Sequence, residues 1–447
     1  MIPQYASDNV HKTLRVTISG QTLANSQVVT ESMELNEAVI DGDNFEFVGC
    51  ISSRFAVQLH GVYMPLKGKT ISATIQADGT NQITIFNGII DSVKLESNHD
   101  YQTIIAFDVL YTKGNVELAS WYKSLSFPIT LKAFRDSLFQ KLGIQQVTTT
   151  LPNDSIKIKK QYNPKTLQSI IVIKSICQIN CVFGIINRNG QFEYRKPIAT
   201  VQSSGVYPSL SLYPPFAPGY SAGGGQIDPE LVAHYEDINY QAYTVKPVDK
   251  ITIRDDEDDE GQSYGSGQNN YIIQGNMFSY GLSKKNVSQM AQNLLPHIQN
   301  VNFQPYRVHH NGMPFIEVGR DFVQYHVLDY EASYQHGEYV FKTMNFPVYN
   351  RQMRGLQHLV DQYEARGEEY QRQFITDLNA RIDVLKKNKV DLSNYYNKQE
   401  IDDMLSGSSP GGGGGGGSGW SVESVQALPP SGQPNVLYLI QGEVVVN

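Results

Sequence analysis

From residue 12 to residue 112 the apolar positions alternate or run in short blocks, in TLRVTISG, FEFVGCI, FAVQL, TISATIQA, ITIFNGIIDSVKL and YQTIIAFDVL. Alternation with a period of two fits strands that bury one face. The breaks at Asp41-Gly42, Asp78-Gly79 and Asn98-His99-Asp100 are turn signals. This spacing predicts a first, small antiparallel β-barrel-like domain over residues 1–115. The period then changes. Leu131, Phe134, Leu138 and Leu142 recur at helical spacing and Gly143 stops the run, which predicts a helix from about Pro128 to Leu142. A second helix is expected from about Lys165 to Asn180. The hairpin VFGIINRNGQFEYRKP follows, turning at Arg188-Asn189-Gly190. Residues 116–200 therefore read as an α+β domain.

Residues 201–235, with YPPFAPGYSAGGG, are rich in Ser, Pro, Gly and Tyr and read as a loop-rich linker. Strand patterns resume at YEDINYQAYTV, KITIRDD and YIIQGNMF. A helix is expected from about Leu282 to Ile298, with further strands from Phe303 to Val348. Residues 236–350 thus predict a second β-barrel-like domain with a helical insertion. One echo links the halves: Met64-Pro65 precedes Gly68-Lys69 and a strand, and Met313-Pro314 precedes Gly319-Arg320 and another.

Beyond Asn350 the chain is charged, and its pattern predicts a helical stem over 351–405. Ile375, Leu378, Ile382 and Leu385 fall at spacings of a coiled-coil seam. Two heptads are short, so the seam needs a folded body to gather its helices. Residues 406–419 hold an unbroken run, Gly411, Gly412, Gly413, Gly414, Gly415, Gly416 and Gly417, whose backbone entropy makes it a flexible joint. The last segment, 420–447, has strand patches around a proline-rich turn and reads as a small β module, too small to fold well alone. The fold class is mainly β with α+β insertions.

Composition narrows the class. The chain has 447 residues, a net charge of -8, 27 Tyr and only 2 Trp. Such a charge argues against a phosphate-binding surface spread over the whole protein. The cysteines are Cys50, Cys177 and Cys181, an odd set without paired metal-ligand spacing, so they read as small apolar core residues. The N-terminal residues contain no apolar stretch of the kind that marks a signal peptide.

Candidate chemistry is thin. In RDDEDDEG, Asp256, Asp258 and Glu260 could take the first positions of a calcium loop, but Gly267 stands where the bidentate Glu would be. The run reads as a solvated acidic loop, with a different kind of calcium site as the alternative. His309-His310 would point to opposite faces of a strand. Neither HExxH nor GxSxG occurs, and SAGGG lacks the Lys of a phosphate loop. Lys157, Lys159 and Lys160 form a small basic cluster that fits edge-strand protection better than a nucleic-acid site. No catalytic residue, cofactor or metal site is nominated, and the chain is expected not to be an enzyme.

Three stretches carry a resemblance: PVDKITIRDDEDDEGQSYGSGQNNYIIQGNMF, FQPYRVHHNGMPFIEVGRDFVQYHV and FKTMNFPVYNRQMRGLQHLVDQYEARGEEYQ. With the order of elements, they resemble the hub family of phage tail tips: the baseplate hub of contractile tails and the N-terminal part of siphophage tail-associated proteins. By motif the likeness covers about 245–370. The family often has Asp directly after the Gly of the MPFIEVGRDF strand. Here Arg320 intervenes and Asp321 follows, so a role tied to that carboxylate is not carried over. DLSNYYNKQEIDDMLSG is similar to a helix of tail fibres, and SVESVQALPPSGQPNVLYLI to short terminal modules of the same proteins.

The resemblance implies a virion structural protein at the tail tip of a phage or tail-like particle, assembled in the bacterial cytoplasm. It implies a homotrimer whose two barrels per chain adapt a sixfold tail tube or distal tail ring to a threefold tip. It would close the channel before tape measure and DNA pass, without gripping DNA. Its C-terminal extension would anchor a tip, fibre or receptor-binding component. The alternative is a tip protein whose C-terminal end itself binds a host receptor or cell-wall glycan.

Overall fold

The computed structural model describes residues 9–40, 45–96, 100–160, 164–197, 202–207, 235–256, 258–310, 314–325, 334–335, 338–369, 421–425 and 436–440. The chain divides into two units, residues 1–388 and 389–447. The first begins with β1 (Lys12–Ile18), β2 (Gln21–Thr22), β3 (Val28–Ala38), β4 (Gly49–Cys50), β5 (Arg54–His60), β6 (Thr70–Ala77), β7 (Ile83–Leu95) and β8 (Tyr101–Phe107). Helices α1 (Val109–Lys113), α2 (Ala119–Ser124), α3 (Leu131–Leu142) and α4 (Ser169–Gln178) follow. Short strands β9 (Ile129–Thr130) and β10 (Lys157–Ile158) lie among them, and the hairpin β11 (Phe183–Ile186) and β12 (Phe192–Arg195) closes this stretch.

Next come β13 (Gln202–Tyr207), β14 (Tyr235–Tyr240), β15 (Lys250–Arg254), β16 (Gln262–Gly265), β17 (Asn270–Gln274) and helix α5 (Lys284–Ile298). The unit's last strands are β18 (Tyr306–His310), β19 (Asp321–Tyr325), β20 (Tyr334–Gln335), β21 (Glu338–Pro347), β22 (Asn350–Arg354) and β23 (Val360–Ala365). In the second unit, β24 (Ser421–Val425) pairs in parallel with β25 (Val436–Ile440).

The chain is mainly β, and the alternation in the sequence is what forms its strands. In β1 and β6 the residues Leu14, Val16, Ile18, Ile71, Ala73 and Ile75 all point into one core, at 3% exposure or less. Each such aliphatic side chain contributes roughly 1.5–3 kcal/mol on burial. The helices follow their pattern too. Thr130 caps α3 by accepting from the Ala133 N–H, and Gly143 ends it at φ 68°. Leu131, Phe134, Leu138 and Leu142 are buried as the spacing predicts. With α4, α5 and the hairpin β11–β12 they build a second core.

The two predicted barrel domains do not stand apart. Strands β14 and β18 of the second, with β22 and β23, share one eleven-stranded sheet with strands of the first, in the order β14-β18-β23-β22-β3-β5-β8-β7-β6-β1-β2, which among the described residues is an open path. Within it one pattern occurs twice. The run β3-β5-β8-β7 in the first half matches β14-β18-β23-β22 in the second, strand for strand in order and chain direction.

The Gly68/Gly319 echo marks the match. Gly68 N–H donates to Ile90 O, Ile90 N–H to Lys69 O, and Lys69 N–H to Leu66 O. Gly319, Val348, Arg320 and Glu317 repeat all three bonds. Both glycines are left-handed, at φ 80° and 76°. From these turns the registers run in step. Ser92, Ile105, Ala56 and Glu34 form one cross-strand row, and Asn350, Glu364, Arg307 and Asn239 form its counterpart.

Several expectations are corrected. Residues 351–365, read as the start of a helical stem, are strands β22 and β23, turned by Gly355 at φ 72°. Met353, Leu356 and Leu359 drop into the first core, which an exposed stem could not supply. The 201–235 linker contains β13, which pairs along β21. In FEFVGCI only Gly49–Cys50 is strand. Phe45 and Phe47 instead pack edge to face at 4.8 Å inside the second core. The seam residues Ile375, Leu378, Ile382 and Leu385, and the joint Gly411 to Gly417, lie outside the described residues.

Candidate functional site

Among the described residues, the place where the two four-strand repeats meet carries a dense set of buried polar contacts. β22 hydrogen-bonds β23 on one side and β3 on the other, so a strand of the second repeat continues the sheet of the first. Arg351 stands opposite Glu37 in that register. Its guanidinium is fully buried and takes Asp361 in a fork, Nε to Oδ1 at 2.9 Å and Nη2 to Oδ2 at 2.6 Å. Nη1 reaches Glu37 Oε2 at 3.4 Å and also donates to Ile316 O. Tyr363 lies under the cation at 5.4 Å and donates its hydroxyl to Asp361. Burial opposes the Arg351 charge, but Asp361, Tyr363 and Glu37 outweigh it and hold the guanidinium above its ordinary value.

The cluster extends to a third element. Arg188, at the tip of β11–β12, gives Nη2 to Glu37 Oε2 at 2.8 Å and Nη1 to Ile85 O, while its own carbonyl accepts from Asn87. Arg195 in β12 binds Glu317, Val318 O and Glu193 beside the Gly319 turn. The α+β hairpin is thereby clamped to both repeats. Such a network fixes orientation: every charge has its counter-charge, and moving one unit would strand buried ions.

Two shallow grooves flank this region. One, about 320 Å³, crosses the junction and is lined by Asn36, Arg54, Asn350, Gln352, Gln362 and Glu364. The other, about 390 Å³, lies at the outer end of the second repeat beside Gln241, Tyr243, Arg307, Glu364 and Gly367. Their linings pair amides with ion-paired side chains such as Arg307–Glu364 at 2.9 Å.

The remaining candidates make local contacts. Asp259 accepts from the backbone N–H of Asp255 and Gly261, and Asp256 from that of Asp258, so these carboxylates shape their own loop. Burial and then the neighbouring Asp259 and Asp256 raise Asp255 above the usual carboxylate range. Among the described residues no group of three His, Cys, Asp or Glu is arranged to hold a metal. His309 Nε2 contacts Gln362 Oε1 at 3.0 Å. Lys159 and Lys160 donate to the carbonyls of Gly281 and Lys123. Arg320 lies 3.6 Å from Glu193, and Asp321 begins β19. All three cysteines are buried. A hydrogen bond to Cys177, and then burial, raise the Cys50 thiol, and burial alone raises Cys181. Among the described residues no helix is long and apolar enough to cross a membrane.

Sequence reading missed the junction because Glu37, Arg351 and Asp361 look like surface charges in a polar stretch. The available signal was Gly355, a helix-weakening residue five positions after Asn350.

No family model matches the chain, and neither does any curated protein. Among solved structures it is similar to the 43 kDa tail protein of prophage MuSo2 from Shewanella oneidensis, at 9% identity and TM-score 0.42, over 80% of this chain and 97% of that one. It is similar to a tail protein from Neisseria meningitidis MC58, at 12% identity and TM-score 0.41, over 80% and 98%. A third is a type VI secretion component of Escherichia coli, described as structurally similar to T4 bacteriophage tail proteins. The identity there is 9% and the TM-score 0.34, over 80% and 78%.

Proposed function

We propose that this chain is a non-enzymatic, homotrimeric hub at the tail tip of a phage or tail-like particle. The observation that carries the reading is the tandem of two like β units, β3-β5-β8-β7 and β14-β18-β23-β22, joined by β22 on β3. Three copies of such a chain present six like units about a threefold axis. That arrangement can meet a sixfold tube or distal tail ring above and a threefold tip below. The hub-like motifs across 245–370 support the same reading, and the ion-paired junction supplies the rigidity an adaptor needs.

In this role the chain bonds to itself, to the distal tail or tube protein, and to a tip, fibre or receptor-binding component through residues 389–447. Tape measure and DNA pass through without specific binding, which suits a net charge of -8. The test is native mass measurement of the purified chain together with a low-resolution reconstruction of the particle. Three copies about one axis at the tail tip are expected. A stable monomer in both settings would overturn the proposal.

A further inference from the structure

Two of the three cysteines lie together. Cys50 is on β4, and its partner in the parallel pairing with β11 is Gly184. Helix α4 packs over both strands and brings Cys177, in its last turn, to the same place. A Cβ built on Gly184 would stand 3.0 Å from Cys177 Sγ and 3.2 Å from Cys50 Sγ. Both sulfurs therefore lean over one glycine, where a larger residue would part them. The two thiols hydrogen-bond each other, and Cys50 and Cys177 are 2% and 0% exposed. Cys181 stands apart: burial alone raises its thiol, and the ring it acts on is Tyr271.

We propose that Cys50 and Cys177 are a modification site, at which a small peroxide closes a disulfide inside the folded chain. The co-reactant is hydrogen peroxide, a molecule small enough to enter a core that excludes bulkier thiol reagents. In the first step the sulfur of one cysteine attacks a peroxide oxygen, the O–O bond breaks, and a sulfenic acid and one water result. In the second step the other sulfur attacks the sulfenic sulfur. The S–O bond breaks, the thiol proton goes to the departing hydroxide, and a second water leaves. Two thiols and one hydrogen peroxide thus give one disulfide and two waters.

Two observations favour a disulfide over an inert pair of core thiols. First, the resolving sulfur is already in place. A sulfenic acid formed at either position meets its neighbour over Gly184 before it can be oxidised further. The same burial that raises the Cys50 thiol keeps thiolate scarce, so the reaction is slow and the pair is quiet until peroxide is supplied. Second, the link has something to hold. It joins β4, between β3 and β5 of the first repeat, to α4 of the α+β domain, across about 127 residues of chain. Closing so long a loop removes freedom from the unfolded chain and stabilises the folded one. The site does not depend on the number of copies or on the tail-tip reading, and its test stands apart from both.

The test uses the full chain, reduced, freed of reductant and treated with hydrogen peroxide while folded. After acid quenching and digestion without reduction, mass spectrometry is expected to show the Cys50 and Cys177 peptides joined, at their summed mass less two hydrogens. Unfolding in guanidinium should then expose Cys181 as the reactive thiol, in place of all three in the untreated chain. The melting temperature is expected to rise by roughly 5 °C. Dithiothreitol should reverse that rise, whereas methionine sulfoxide would persist. Cys181→Ala is expected to keep the link and the shift, and Cys177→Ala to lose both. A linked pair in the wild-type chain supports the proposal even where Cys177→Ala does not fold. Three reactive thiols after treatment, a sulfinic acid at Cys50 or Cys177 without a link, or a link to Cys181 overturns it.

Discussion

Arg351 on β22 and Asp361 on β23 join diagonally in a two-bond fork, with neither side chain exposed to solvent. Because both ions are buried, the pair matters most when one member is removed. Arg351→Met leaves the buried Asp361 without its cation, while Glu37 keeps Arg188, and is expected to cost about 3–5 kcal/mol. Pairing it with Asp361→Leu should recover part of that loss. Urea denaturation of the two single variants and the double variant gives the coupling.

Gly68 and Gly319 have the same left-handed backbone and different surroundings. A Cβ at Gly68 meets open space, while one at Gly319 would sit 3.0 Å from Arg195 Cδ. Gly68→Ala should cost about 1–2 kcal/mol from backbone strain alone. Gly319→Ala should cost more, because it also displaces Arg195 from Glu317 and Val318. Thermal melts of the two variants rank them.

Met353 and Leu95 occupy matched positions with opposite exposure. Met353→Ala empties a filled core site and should cost about 2–5 kcal/mol. Leu95→Ala should stay within about 0.5 kcal/mol in the isolated chain. Denaturant midpoints taken at low protein concentration separate them.

Asp108 caps α1 and accepts from Ser52 Oγ, Ser53 N–H and Leu110 N–H. Burial nevertheless pushes its carboxyl up to about 6. The folded state therefore binds a proton more tightly than the unfolded chain. The stability this group contributes is full below about pH 4 and is lost as pH rises through about 6, a change of about 3 kcal/mol. Stability of the wild type relative to Asp108→Asn should fall over that window. Carbon-13 NMR of the carboxyl should titrate near 6.

Cys50, Cys177 and Cys181 should all resist a thiol reagent in the folded chain at pH 8, and all three should react once it is unfolded in guanidinium. The absorbance of the released dye counts them.

What was legible in the sequence was local. The faces of α3, α4 and α5, the hairpin at Arg188-Asn189-Gly190 and most strands of the first unit follow from period and turn residues alone. The Gly68/Gly319 echo was visible too, because a left-handed turn leaves a glycine behind. The strand β3 was not, since VVTESMELNEA breaks its alternation at a register shift between Val29 and Glu34. β22 and β23 were read as helix because their core-facing residues include Arg351 and Asp361. A buried ion pair looks like surface until its partner is known. That partner lies in another part of the chain, and nothing local announces it.

The bond from Arg351 to Glu37 spans 314 residues of chain. On a ribosome adding roughly 5–20 residues per second, that distance is about 15–60 s of synthesis. Through that interval β3 has its N-terminal partners and no β22. A chain cut short before residue 350 would carry this edge permanently bare, along with a first core lacking Met353, Leu356 and Leu359. Only a chain synthesised past β23 can seal this edge, so the fold tests translation that far before any copy reaches its neighbours.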